Sequence, residues 1–376
     1  MEVYKAFKYR IYPTPEQENL IQRTFGCCRF VYNYFLEAQK SAYALNGSHL
    51  TKFDCFKALT ALKREKPWLS EVPLNALRAS IEDLDAAYKA FFRGKGKVGF
   101  PRFKSRYDHN KAFRFDNSDE TTRIEGNCIR FPKLGEVQAV FDRLPSGPIK
   151  KAAIRQMPSE KYFAILTCKV EIDPLPVCDT AIGVDVGLKD YATLSTGEHI
   201  PNPKYLSKYL KKLRREQRRL SRKKKGSNNW NKQRVKVARA YERVTNCRKN
   251  FQHNLSHRLV NSAQIICTEN LNIKSMVQNH RLARAVADAA WYEFIRQLEY
   301  KAAWVGRVVQ KVDTFVPSSQ TCHICGFRNS ITKDLSVRNW FCPQCGAAHD
   351  RDENAAQTIL QEGLRLLSME YVPDEE

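Results

Sequence analysis

Apolar positions recur with two periods along this chain, and each change of period marks a part of it. Residues 3–12 alternate as a half-buried strand does, and they carry Lys5, Lys8 and Arg10. The spacing then becomes helical, with Leu20, Ile21, Phe25, Phe30, Val31, Tyr34 and Phe35 on one stripe. Thr14-Pro15-Glu16-Gln17 starts that helix: Thr14 as N-cap, Pro15 in the first position, Gln17 reaching back. Pro67 and Pro73 break the next region into shorter helices, and residues 81–92 form another that ends near Gly94-Lys95-Gly96. From 113 to 171 the pattern turns to short strands separated by turn signals such as Ser146-Gly147-Pro148. These segments predict a small β-barrel over 1–12 and 111–176, interrupted by a helical region over 13–110. Asp173-Pro174-Leu175-Pro176 then reads as a linker.

Beyond the linker the pattern predicts an α/β unit. Ile182-Gly183-Val184 is a buried strand that contains Asp185, and Gly187 turns into a second strand over 191–195. Residues 203–260 form a helical hairpin. Leu206, Leu210, Leu213 and Leu220 line one inner face, and Val237, Tyr241, Val244, Phe251 and Leu255 line the other, with a break at 226–229. Gln264–Thr268 is an apolar strand ending at Glu269, 272–280 reads as loop, 291–305 as helix and 308–315 as strand. A last helix begins near Asn354, and 368–376 is a disordered tail.

Charge changes the picture. The 376 residues suffice for two or three domains and carry a net +23. Between Lys204 and Lys249 lie nineteen Lys or Arg and two acids. So one-sided a run should destabilise its own helices unless a polyanion neutralises it. Lys211, Lys212, Arg214, Arg215, Arg218 and Arg219 are the candidate phosphate contacts there. A second basic stretch, GKGKVGFPRFKSR, offers Arg102 and Lys104 to a phosphate backbone while Phe100 or Phe103 packs or stacks. No apolar run reaches the roughly 18 residues of a membrane span, and the N-terminus has no signal-peptide core. Twelve cysteines in such a chain point to a reducing cytoplasm and to metal binding in preference to disulfides.

The chemistry concentrates in the last third. Cys322/Cys325 and Cys342/Cys345 are two Cys-x-x-Cys knuckles, each followed by Gly, and four thiolates so spaced fit one structural zinc ion. The predicted zinc ribbon covers 316–348. Asp352 follows at a helix start, where it is either an N-cap or a metal-directed carboxylate. Asp185 sits inside an apolar strand, which is costly unless it is hydrogen-bonded or binds metal. An Asp in a first strand, a Glu at a later strand end and an Asp at a last helix form the order of a ribonuclease-H-like nuclease core over 177–315 and 349–367. Such a trio can hold two Mg²⁺ ions, which prefer oxygen ligands.

At these residues the chain resembles the TnpB family of transposon-encoded RNA-guided nucleases, which is related to type V CRISPR effectors. The segments GVDVGLKDYA, CTENLN, SSQTCHICG and FCPQCGAAHDRDENAA carry the resemblance, with FVYNYF and GFPRFK in the first half. It implies a RuvC-type site of Asp185, Glu269 and Asp352, and an oligonucleotide-binding wedge barrel interrupted by a helical recognition domain. It also implies a guide RNA from the transposon end, double-stranded target DNA cut beside a short motif, and a monomer on RNA in a prokaryotic cytoplasm. The helical region would read the motif, with Asn75, Arg78 and Ser80 as candidate contacts. The alternatives are a guided repressor that does not cut and a DNA strand-transfer transposase.

Overall fold

Two compact units divide the chain between Glu171 and Ile172, just before the Pro-rich segment. The computed structural model describes residues 1–94, 98–108, 111–117, 120–314, 316–334 and 336–370. Lys95, Gly96, Phe315 and 371–376 of the expected tail lie outside the described residues.

The first unit begins with β1 (Glu2–Tyr12), which buries Phe7, Tyr9 and Ile11 at every second position. Thr14 then caps α1 (Pro15–Asn46) through the predicted reciprocal pair with Gln17. Helices α2 (Lys52–Glu65) and α3 (Leu74–Arg93) follow. Helix α3 starts seven residues before the predicted 81, directly after Pro73, because proline bars the preceding residue from the helix without stopping a helix behind it. Strands β2 (Lys111–Asp116), β3 (Arg123–Glu125), β4 (Cys128–Phe131), β5 (Gly135–Val140), β6 (Ile149–Gln156) and β7 (Tyr162–Glu171) complete the unit. They form one seven-stranded antiparallel sheet in the order β2-β6-β7-β1-β5-β4-β3. Where the sequence suggested a barrel, the pairing leaves β2 and β3 as sheet edges.

The second unit is built on a five-stranded sheet. Its strands are β8 (Ala181–Asp185), β9 (Asp190–Leu194), β10 (His199–Pro201), β11 (Ile265–Glu269) and β12 (Val308–Val312), in the order β10-β9-β8-β11-β12. Strands β8, β11 and β12 run parallel, β9 pairs antiparallel with β8, and β10 pairs antiparallel with β9. Helices α4 (Tyr205–Ser221) and α5 (Asn228–Ser262) form the expected hairpin. Residues expected as loop hold the short helix α6 (Ile273–Gln278), followed by α7 (Ala283–Ala289) and then α8 (Trp291–Val305). A two-stranded ribbon, β13 (Asn339–Phe341) and β14 (Ala348–Asp350), leads into α9 (Arg351–Glu370), which runs through the start of the expected tail. Period-2 alternation divides the sheet's two faces. Ile182, Val184 and Ile266 pack with Leu255 and Leu259 of α5 and Phe294 and Leu298 of α8. Cys267 and Val312 pack on the opposite face with Ile359 of α9. Among the described residues no helix is long and apolar enough to cross a membrane.

Candidate functional site

Asp185 is the last residue of β8 and Glu269 the last of β11, one step beyond the Val184–Thr268 pair. Both follow the alternation of Gly183 and Cys267, so both project to the face that α9 covers. Helix α9 lies against this face at close range: a Cβ on Gly183 would meet the Ala356 carbonyl oxygen at 2.0 Å, so only glycine fits. That approach brings the first turn of α9, with Asp352, to the ends of the two central strands. Asp350 is the residue that caps α9, its Oδ1 accepting from the backbone N–H of Asp352 at 2.8 Å and of Glu353 at 3.1 Å. The capping role open to Asp352 in the sequence is therefore filled by its neighbour. Asp352 instead pairs with Arg338, whose guanidinium lies 3.0 Å from Oδ2.

Burial, then the charges of Glu269 and Asp352, hold the Asp185 carboxyl well above the usual range, against the opposing pull of Arg351. Burial also raises Glu269, although the Ser318 hydroxyl donates to its Oε1 at 2.6 Å. Such mutual repulsion among oxygen-only donors is what a divalent cation relieves, so the residues fit Mg²⁺. They do not close on one point: among the described residues the one set of three or more metal-type ligand atoms all within 4.8 Å of one another is the four cysteines.

In that set Cys322 and Cys345 have their sulfurs 3.7 Å apart, and Cys325 and Cys342 3.5 Å apart. Four thiolates about 2.3 Å from a tetrahedral zinc stand about 3.8 Å from one another, so the cluster fits that ion. Gly326 and Gly346 take positive φ, and their N–H groups close the two knuckle turns onto Cys322 and Cys342. Burial alone would raise the Cys342 thiol, but the N–H groups of Cys345 and Gln344 bring it down, toward the thiolate a metal needs. Cys325 and Cys345, despite the backbone N–H bonds they accept, are raised by burial and by contacts with neighbouring thiols.

Lys211, Lys212, Arg214, Arg215, Arg218 and Arg219 are all exposed on α4. Arg215 and Arg219 are already paired with buried Glu216, each 3.3 Å from its Oε1, and Gln233 donates to its other oxygen. The sequence missed the partners across the hairpin. Lys236, Arg239 and Arg243 of α5 face Lys212 and Arg219 across a groove of about 440 Å³ beside Tyr209. Their i, i+3, i+7 spacing along one helix face was the available signal. Tyr241, expected on the inner face, is exposed and hydrogen-bonds Gln217.

The motif-reader candidates separate. Arg78 is exposed, over the Phe56 ring, and Asn75 is half-buried. Ser80 is buried with its hydroxyl on the Ala76 carbonyl, so it is not an ordinary surface reader. Lys104 is exposed above the Tyr32 ring, its backbone clamped by Asn33, and Arg102 is exposed beside it. Phe100 packs against Tyr88 and Phe91, and Phe103 lies under Lys40.

Three families match: "Probable transposase" over residues 166–280, "Helix-turn-helix domain" over 1–48, and "Cas12f1-like, TNB domain" over 291–359. In the second match the chain folds as β1 and the single helix α1. A protein of Streptomyces pristinaespiralis described as "Putative RNA-guided DNA endonuclease" is 40% identical over 96% of this chain and 90% of its own length. "Putative RNA-guided DNA endonuclease InsQ" of Escherichia coli (strain K12) is 32% identical over 98% and 94%. A structure titled "Cryo-EM structure of the Cas12f1-sgRNA-target DNA complex" covers 95% of this chain and 99% of that one, at 15% identity and a TM-score of 0.36.

Proposed function

We propose, for a chain that belongs to the TnpB family of transposon-encoded proteins, an RNA-guided DNA endonuclease that cuts double-stranded DNA beside a short motif. One observation carries the reading: Asp185 and Glu269 end adjacent parallel strands on one sheet face, and α9 brings Asp352 to the same end. The strand order β10-β9-β8-β11-β12 supports a ribonuclease-H-like, RuvC-type core. Two bound Mg²⁺ ions would supply water activation and leaving-oxygen stabilisation. The chain's own part is to hold three carboxylates there, with Ser318 orienting Glu269 and Arg338 compensating Asp352. The seven-stranded sheet is assigned as the wedge and α1–α3 as the motif-reading region. The cysteine cluster is assigned as a structural zinc centre. Keeping all three carboxylates disfavours the repressor alternative.

The protein should be purified from cells that carry its native flanking DNA, and the co-purifying RNA sequenced. A bound RNA of defined end is expected, and the complex with Mg²⁺ should cut a matched plasmid. Loss of cutting with RNA still bound would mean a repressor; no bound RNA would sink the guided reading.

The basic hairpin is read as the phosphate-binding surface for guide RNA or guide–target duplex, which is held by backbone and shape. Replacing Arg214, Arg218 and Lys211 by Gln should lower guide affinity for every guide sequence, since phosphate contacts carry no base information. Each lost contact should flatten the salt slope by roughly 0.7 to 0.9. These three are better test positions than Arg215 and Arg219, which Glu216 already compensates. Filter binding across a salt series decides it: a wild-type slope in the triple variant would make the surface a solvated face only.

A further inference from the structure

Asn354 lies two residues after Asp352 and is 1% exposed, an unusual depth for an amide side chain. Its polar atoms are spent on the first cysteine knuckle. Oδ1 accepts from the backbone N–H of His323 at 3.1 Å and lies 3.0 Å from the His323 ring Nδ1. Nδ2 donates to the Thr321 carbonyl at 2.7 Å. Thr358, one turn further along α9, donates to the same carbonyl at 3.2 Å. Thr321 and His323 flank Cys322, whose sulfur lies 3.1 Å from Nε2 of buried His349. Thus the backbone on both sides of one zinc-type ligand is bonded to the helix that presents Asp352.

We propose that Asn354 is a positioning residue that couples the zinc centre to Asp352. This rests on the reading of Asp352 as an active-site carboxylate. With the knuckle closed on zinc, His323 and Thr321 present fixed partners and hold the first turn of α9 against the sheet. With the knuckle open, the buried amide loses its His323 and Thr321 partners, and leaving it unsatisfied is costly. The first turn of α9 then loosens, and Asp352 leaves the carboxylate pair. A group that fixes a ligand-bearing element from behind typically matters 10- to 100-fold for affinity or rate. Coupling of this kind is reciprocal, so whatever loosens α9 should also speed zinc loss.

The test uses guide-loaded full-length protein, wild type against Asn354→Ala and Asn354→Asp. The Asp variant keeps the two acceptor contacts to His323 and loses the donor to Thr321. Zinc per chain, zinc release to a chromogenic chelator, amide hydrogen exchange over 351–358 and the Mg²⁺ midpoint of cleavage are measured. Asn354→Ala is expected to keep one zinc and release it faster, to exchange those amides faster, and to cut about 10- to 100-fold more slowly with a raised Mg²⁺ midpoint. Asn354→Asp should fall between. Chelating zinc from wild type should speed exchange over 351–358, while in Asn354→Ala the same treatment should add little. The proposal is overturned if wild-type α9 exchange ignores zinc removal. It is equally overturned if Asn354→Ala fails to bind zinc, because the residue then only builds the ribbon. Because exchange and zinc release are read without cleavage, a failure of the coupling is distinguishable from a failure of the nuclease reading.

Discussion

Asp185→Asn is expected to reduce cleavage by about a thousandfold or more, a loss of several kcal/mol of metal-dependent transition-state stabilisation. The same substitution should make the metal-free protein more stable. Asp185 binds its proton more tightly folded than unfolded, because burial and the charges of Glu269 and Asp352 disfavour the carboxylate. The folded state thus holds more protons than the unfolded one between the two pKa values. Stability from this group is full below the unfolded pKa and is lost as pH rises through the folded one. Above the unfolded pKa, Asp185 therefore carries a cost in the folded state, whether as a repelled carboxylate or as a proton taken up, and Asn removes it. The melting temperature of the second unit without Mg²⁺ should rise, by about 2–4 °C for each kcal/mol relieved in a unit of this size. Added Mg²⁺ should stabilise wild type more than the variant. Guide binding should be unchanged, since the basic hairpin is untouched. Plasmid cleavage and thermal melting, each with and without Mg²⁺, check this; a variant that still cuts would remove Asp185 from the site.

Cys322→Ser should have the second largest effect. Structural zinc contributes on the order of 10 kcal/mol in isolated modules, and the small β13–β14 ribbon has little core of its own: Cys322, Trp340 and Cys342 are its buried apolar residues. Elemental analysis should find one zinc per wild-type chain and none in the variant, and cleavage should be nearly lost. The four ligands should not be equivalent. Cys322 is buried with its flanking backbone bonded to α9, whereas Cys345 is exposed. Cys345→Ser should therefore retain more cleavage than Cys322→Ser at saturating zinc. Wild-type protein without zinc would end this reading, and equal losses at the two positions would end the ranking.

What the sequence by itself determined was local. Thr14 and Gln17 are three residues apart, so a capping box is decided within one helical turn. The Cys-x-x-Cys-Gly knuckles are closed by N–H groups four residues on, which makes the thiol cluster legible from spacing. The apolar strands around Asp185 and before Glu269 carry their own signal, because a charge at the end of a buried run has few uses. The tertiary structure decided everything that depends on which elements meet. That Asp185 and Glu269 share a face follows from the parallel register of β8 and β11, separated in sequence by the whole hairpin. Asp350 caps α9 while Asp352 is left to Arg338, a choice between two carboxylates two residues apart that composition cannot make. Glu216 is buried between arginines that the charge count treated as free, and Arg243, Arg239 and Lys236 join the basic surface only once α4 and α5 pack. Asn354 meets His323 across 31 residues. Hydrogen bonding and repulsion act over a few ångströms of space, and chain separation says little about that distance until the sheet order is set.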